Sequence, residues 1–370
     1  MFFKYLLTYR ISLNRVIHTR KMASASFTNI DSLTTKDIEC FLQSFDTILT
    51  DCDGVLWTGP RPIEGSAEVI EGFRKLGKKV IFVTNNGIKP RKDVLEKCSR
   101  LNFGGNIEDI FTSSYLCARY LTINNFNQKA YVFGSKGITE ELDNVGIRHI
   151  GSGSDYSNQI KCSMEGQGLT VKGLGVPDPE VGAVILSFTL DSPFNFERII
   201  EIVHYLDQKV HNRESSGKTK AQKTTEMPFI LSDPDPIIPA MNHETQEYMK
   251  VPGTGAFVAA VEAAVQRPPI VVGKPSKFVF EAITQDHPDI VPNRTIMIGD
   301  NPKTDILLGK NCHLATLMVG TGIGSLSEIQ NYQTSTDVTK QSMVPNYFVS
   351  SLKVLHPHIT KLIEKNKCMK

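Results

Sequence analysis

Two carboxylates one residue apart, at the end of an apolar run, constrain this chain more than any other stretch. Ile48-Leu49-Thr50 leads into Asp51-Cys52-Asp53-Gly54 and then Val55-Leu56-Trp57. Residues i and i+2 of a strand share a face, so Asp51 and Asp53 are expected to leave the strand end pointing the same way. Cys52 then faces the opposite side, as a small core residue. Gly54 lets the chain turn sharply. Adjacent carboxylates repel, and a sheet end tolerates them when a positive charge sits between or above them. A divalent cation is the simplest such charge; an acidic turn without chemistry is the bland alternative.

The rest of the chain alternates between strand and helix patterns. Ala67–Leu76 has apolar residues at helical spacing, and Lys79–Val83 is a continuous apolar run of the buried, parallel kind. Helix is expected over Arg91–Leu101 and Ser113–Leu121, with Ile110-Phe111 a short strand between them. Ala130–Phe133, Ala183–Leu190, Phe229–Ser232, Ile270–Val272, Thr295–Ile298 and Leu314–Val319 read as further strands, and Tyr347–Val349 as a last, edge strand. Helices are expected at Phe196–Leu206, Phe257–Val265 and Lys277–Thr284, with another beginning at Asp305. This alternation predicts an α/β fold with a parallel sheet.

Composition excludes several classes. The 370 residues suffice for two ordinary domains. Lys plus Arg number 41 against 39 Asp plus Glu, a net charge of +2 that leaves no nucleic-acid footprint. No apolar run is long enough to span a bilayer, so no membrane association is expected. The seven cysteines form no C-x-x-C pair, which fits a reduced compartment and neither a zinc site nor a disulfide framework. Residues 1–30 carry Lys4, Arg10, Arg15, Arg20 and Lys21 before any acid. They fit a mitochondrial transit peptide, a loose extension, or a start at Met22; the expected location is otherwise cytoplasmic. Residues 208–227 are polar and Lys-rich and read as a mobile insertion. Ser216-Gly217-Lys218-Thr219 lacks the upstream glycine of a P-loop, and the glycines of 320–324 lack dinucleotide spacing.

Four strands end in polar residues: Asp51 and Asp53; Thr84, Asn85 and Asn86; Lys274; and Asp300, with Asp305 in the next turn. Ligands of open α/β sheets bind at the carboxyl ends of strands. Carboxylates and water suit Mg2+, while lysine, hydroxyl and backbone amides suit a phosphate. Together they describe phosphoryl transfer at a metal. Asp51-x-Asp53-Gly54, Val83-Thr84-Asn85-Asn86, Gly273-Lys274-Pro275-Ser276 and Gly299-Asp300-x-x-x-x-Asp305 resemble the four motifs of the haloacid dehalogenase superfamily. In detail, Asp51–Trp57, Val251–Gly255 and Gly299–Leu307 are similar to the group of 4-nitrophenylphosphatases, phosphoglycolate phosphatases and pyridoxal phosphatases. Lys129–Ser135 and Ser342–Tyr347 look most like the phosphoglycolate phosphatases.

The resemblance spans roughly residues 45–355. It implies a Rossmann-like parallel-sheet core, residues 45–128 and 252–370, with a large α/β cap inserted at 129–251 and an N-terminal extension at 1–44. It implies Asp51 as nucleophile, forming an aspartyl-phosphate, and Asp53 as general acid and base. Mg2+ is expected on the Asp51 carboxylate, the Asp53 main-chain carbonyl and Asp300. Thr84 and the amides of Asn85 and Asn86 are expected to hold the phosphoryl oxygens. Lys274 balances the charge, and Asp305 braces Lys274 or a metal-bound water. The group also implies a homodimer through the cap, whose closure excludes water. Gly87 stands where the group often has Ser. Ile238 stands where pyridoxal phosphatases carry His, which favours a small acid phosphate over a vitamin-B6 phosphate. The expected activity is Mg2+-dependent hydrolysis of small phosphomonoesters, 2-phosphoglycolate first and aryl phosphates also. A pyridoxal-phosphate or phosphoprotein phosphatase, a phosphotransferase or mutase on the same core, and a non-catalytic regulatory binding protein are the rivals.

Overall fold

A computed structural model describes residues 26–152, 160–165, 168–191, 194–215 and 226–368 of the chain. One sheet has seven parallel strands, in the order Thr28–Asn29, Tyr347–Val349, Ala315–Val319, Thr295–Gly299, Thr47–Thr50, Lys79–Thr84, Ile110–Thr112. Its central strands are apolar throughout because both faces are covered; every residue of Thr47–Thr50 and of Thr295–Gly299 is buried. From Thr47–Thr50 the chain moves to Lys79–Thr84 on one side and later fills the other side with Thr295–Gly299. The crevice at this reversal is where such sheets hold ligands.

A second sheet has five parallel strands, in the order Ile270–Val271, Phe229–Leu231, Val181–Leu186, Lys129–Phe133, His149–Ile150. The two sheets share an apolar core. Leu49, Ile81 and Val83 of the first belong to one buried cluster with Val132, Ile185 and Ile230 of the second. Leu116 and Leu121 of helix Ser113–Ile123, and Val279 and Ile283 of helix Phe278–Asp286, fill the space between. Two antiparallel hairpins, Lys161–Glu165 with Gly168–Lys172 and Ile237–Met241 with Tyr248–Pro252, also belong to this half of the chain.

Four sequence expectations need correction. Residues 28–44 are not an extension: Thr28–Asn29 pairs with Tyr347–Val349, and Ile30, Ile38, Phe41 and Leu42 are buried in the first core. Tyr347–Val349 is consequently an inner strand rather than the edge. The second body does not end at 251. Helix Thr254–Val265 sends Val258 and Val261 into its core, and Ile270–Val271 closes its sheet. Finally, helix Phe196–Ser215 runs through the first part of the 208–227 stretch, which has no helix breaker before Gly217. The remainder of that stretch up to 225, including Ser216–Thr219, lies outside the described residues, as do residues 1–25 with the basic segment. All seven cysteines are free, and no helix among the described residues is long and apolar enough to cross a membrane.

Candidate active site

Adjacent strands deliver the acids. Asp51 follows Thr47–Thr50, and Asp300 follows its neighbour Thr295–Gly299. The segment after Asp300 is a wide turn at Pro302–Ile306, with the Asn301 side chain accepting from the Lys303 amide at 2.9 Å. This turn swings Asp305 back beneath the strand end. Its Oδ2 accepts from the backbone amides of Asp300, at 3.1 Å, and Asn301, at 3.0 Å. Asp51, Asp300 and Asp305 are all buried, and each offers an oxygen within 4.8 Å of the others.

Lys274 enters this cluster from the second body. Its Nζ donates to Asp51 Oδ1 at 2.6 Å and to the Val83 carbonyl at 3.1 Å, and lies 2.8 Å from Asp305 Oδ1. Burial works against its charge, but Asp305 and Asp51 outweigh burial and push the ammonium above the usual lysine range. Burial pushes Asp51 well above the usual carboxylate range; Lys274 pulls it back, and Asp305 and Asp300 push it further up. Asp300 is pushed to about 6 by burial and then by the Asp305 charge.

Three buried carboxylates thus face one buried ammonium. The donor set is oxygen-only, compact and short of positive charge, which fits a divalent cation such as Mg2+. Asp51 and Asp300 are the two carboxylates of the cluster that could hold it. Asp305 is committed to Lys274 and to two amides.

The other expected residues divide between the cluster and its rim. The Asp53 side chain is 57% exposed and stands outside the acidic cluster, because the strand ends at Thr50 and its alternation does not continue. Lys97 Nζ lies 3.9 Å from Asp53 Oδ1 and 4.1 Å from the centre of the Trp57 ring. Asp53, Thr84, Asn86, Lys89 and Lys97 line a small cleft of about 30 Å3. Thr84 is buried, and its hydroxyl oxygen accepts from the Asn86 amide at 3.2 Å. The Asn86 side chain caps the next turn, accepting from the amides of Ile88 and Lys89 at 3.0 and 3.2 Å. Cys52 is buried in the core. A larger groove of about 890 Å3, between helices Ser66–Lys75 and His356–Cys368, touches none of these residues.

Residues 48–148 match the model of the haloacid dehalogenase-like hydrolases, and residues 271–353 match a second model of the same kind of hydrolase. Glycerol-3-phosphate phosphatase of Mus musculus is 34% identical over 338 residues, covering 88% of this chain and 94% of that protein. The chain belongs to the haloacid dehalogenase-like hydrolases. Chloroplastic phosphoglycolate phosphatase 1A of Arabidopsis thaliana is 33% identical, covering 91% of this chain and 81% of that protein. The fold is shared with a p-nitrophenyl phosphatase from Archaeoglobus fulgidus, at TM-score 0.64 and 22% identity, covering 85% of this chain and 99% of that one.

Sequence reasoning passed over part of this hydrolase's site. The glycines of 320–324 form the wall behind Asp300. The Ile323 amide donates to Asp300 Oδ2 at 2.8 Å and the Gly324 amide to the Asp300 carbonyl at 3.0 Å. A Cβ on Gly322 would stand 1.8 Å from Asp300 Oδ2, and one on Gly54, whose φ is +82°, would stand 2.4 Å from it. The missed signal was the glycine spacing itself, weighed only against dinucleotide loops. Gly87 has a similar reason: a Cβ there would meet the buried Ser187 hydroxyl oxygen at 2.3 Å.

Proposed function

We propose that this hydrolase is a Mg2+-dependent phosphatase of small phosphomonoesters, with 2-phosphoglycolate as its preferred substrate and an aspartyl-phosphate intermediate. The carrying observation is the Lys274 ammonium, which touches both Asp51 and Asp305 beside Asp300. An Asp51 oxygen attacks phosphorus, the phosphorus–oxygen bond to the alcohol breaks, and Asp53 gives its proton to the departing alkoxide. Asp53 then takes a proton from the water that cleaves the acyl phosphate. The half-exposed position of Asp53 at the mouth of the cleft suits both transfers, since leaving group and water pass it. Lys274 remains protonated and balances the charge on the phosphoryl oxygens, and Thr84 with the nearby amides orients them. Bound at Asp51 and Asp300, Mg2+ would supply Lewis-acid charge to the same oxygens.

The ammonium groups of Lys89 and Lys97, which line the cleft beside Asp53, support an anionic leaving group such as glycolate. A second reading, glycerol 3-phosphate, is favoured by the 34%-identical relative of that name. The test is phosphate release from 2-phosphoglycolate, glycerol 3-phosphate, pyridoxal phosphate, 4-nitrophenyl phosphate and a phosphopeptide, with and without Mg2+. The expected result is the highest kcat/KM on 2-phosphoglycolate and none without metal. Asp51→Asn is expected to lower kcat at least about 10³-fold. Turnover that survives this substitution overturns the nucleophile, and glycerol 3-phosphate at the head of the panel overturns the substrate.

A further inference from the structure

We propose that Asp235 is a positioning residue for Lys274, acting through the side chain of Asn85. The proposal rests on the phosphatase reading and extends it to residues of the second body. Asn85 grips the backbone of Lys274 at two points. Its Oδ1 accepts from the Lys274 amide at 2.8 Å, and its Nδ2 donates to the Lys274 carbonyl at 3.1 Å. The same Nδ2 donates to Asp235 Oδ2 at 3.1 Å. A carboxamide rotated end for end would set its NH2 group against the Lys274 N–H, donor against donor. Asp235, which when ionised can accept but not donate, selects the productive orientation.

The loop holding Asp235 is itself pinned. The Gly255 amide donates to the Asp235 carbonyl at 3.0 Å, and the Gly253 amide to that of Pro236 at 3.0 Å. Asp233 Oδ2 accepts from the hydroxyls of Ser232, at 2.8 Å, and Thr254, at 2.9 Å. On the lysine side, a Cβ on Gly273 would stand 2.8 Å from Asn85 Oδ1 and 2.3 Å from the Ser232 carbonyl oxygen. Only glycine lets the strand carrying Lys274 come this near the clamp. The lysine side chain has several rotatable bonds, so its Nζ stays between Asp51 and Asp305 only if its backbone is held.

The experiment measures kcat and KM of Asp235→Leu, Asp235→Asn, Asn85→Asp and the Asn85→Asp/Asp235→Asn pair. The substrates are 2-phosphoglycolate and 4-nitrophenyl phosphate, with melting temperatures recorded for each variant. Asp235→Leu removes the acceptor and is expected to lower kcat about 10- to 100-fold on both substrates alike, with KM within about twofold. Asp235→Asn keeps an acceptor oxygen and retains most of the rate. Asn85→Asp sets carboxylate against carboxylate. In the pair, the carboxamide introduced at position 235 can donate to the carboxylate introduced at position 85, and about tenfold of the lost rate returns. A loss confined to KM for 2-phosphoglycolate would make Asp235 a substrate contact and overturn the proposal. So would an unchanged kcat in Asp235→Leu. If Asp235→Leu does not fold, the exchange pair decides alone, and no recovery in it overturns the proposal. Failure of the phosphatase reading is seen separately, as absence of phosphate release by the unsubstituted protein.

Discussion

Replacing Lys274 by Met tests the electrostatic core of the site directly. The ammonium lies within 2.8 Å of two buried carboxylates, and a third, Asp300, shares their pocket. At an effective dielectric constant near 20, each contact at this distance is worth roughly 6 kcal/mol, so two are worth on the order of 12 kcal/mol. Removing the ammonium also removes its own desolvation cost of several kcal/mol. The net loss of stability is then about 3–5 kcal/mol, the usual result of stranding one side of a buried ion pair. The sign of the pH dependence follows. Without Lys274 the folded carboxylates bind protons still more readily than in the unfolded chain, where they titrate near about 4. A group with a raised folded pKa contributes its stability below the unfolded value and loses it as pH rises. The deficit of Lys274→Met is therefore expected to be full at pH 8 and to shrink by more than half at pH 5. Urea unfolding at both pH values, without added metal, measures it. A deficit of equal size at both would mean lost packing rather than stranded charge, and the acidic cluster would then not be one that calls for a cation.

Gly322→Ala is expected to displace Asp300, because the new methyl group would stand 1.8 Å from its Oδ2. The Mg2+ concentration for half-activation should rise about 10-fold or more, with KM little changed at saturating metal; unaltered activation would show that Asp300 does not serve the metal. Asp233 is pushed to about 7 by burial and then by the Asp235 charge. The folded state thus holds a proton on it between about pH 4 and 7 that the unfolded state releases, and stability falls as pH rises through that window. Asp233→Asn removes the group, so its stability relative to the unsubstituted protein should climb by a few kcal/mol, at about 1.4 per pH unit, from pH 4 to 7; parallel curves refute this. Asp53→Asn should lower kcat about 10²- to 10⁴-fold on 2-phosphoglycolate. On 4-nitrophenyl phosphate, whose phenolate leaves without a proton, it should show a burst of product before the slow hydrolysis step. Equal losses in both steps refute Asp53 as the acid.

Local chemistry was legible in the sequence, and long-range pairing was not. The acids after two apolar strands, the lysine before Pro275 and the turn to Asp305 each announce themselves within a few residues. The parallel sheets followed from continuous apolar runs, because strands buried on both faces have no polar alternation to hide them. Thr28–Asn29 escaped notice because two residues show no periodicity, and its role as edge strand depends on a partner at Tyr347–Val349. Ile270–Val271 misled for a related reason. It reads as one more core strand, yet it pairs with Phe229–Leu231 in the second sheet. That pairing changes the meaning of Lys274. The ammonium that neutralises the first sheet's acids follows directly on a strand of the second sheet, and Asn85 and Asp235 fasten it there across more than a hundred residues of chain. Any movement of the second body relative to the first must therefore either carry Lys274 away from Asp51 or strain the Asn85 clamp.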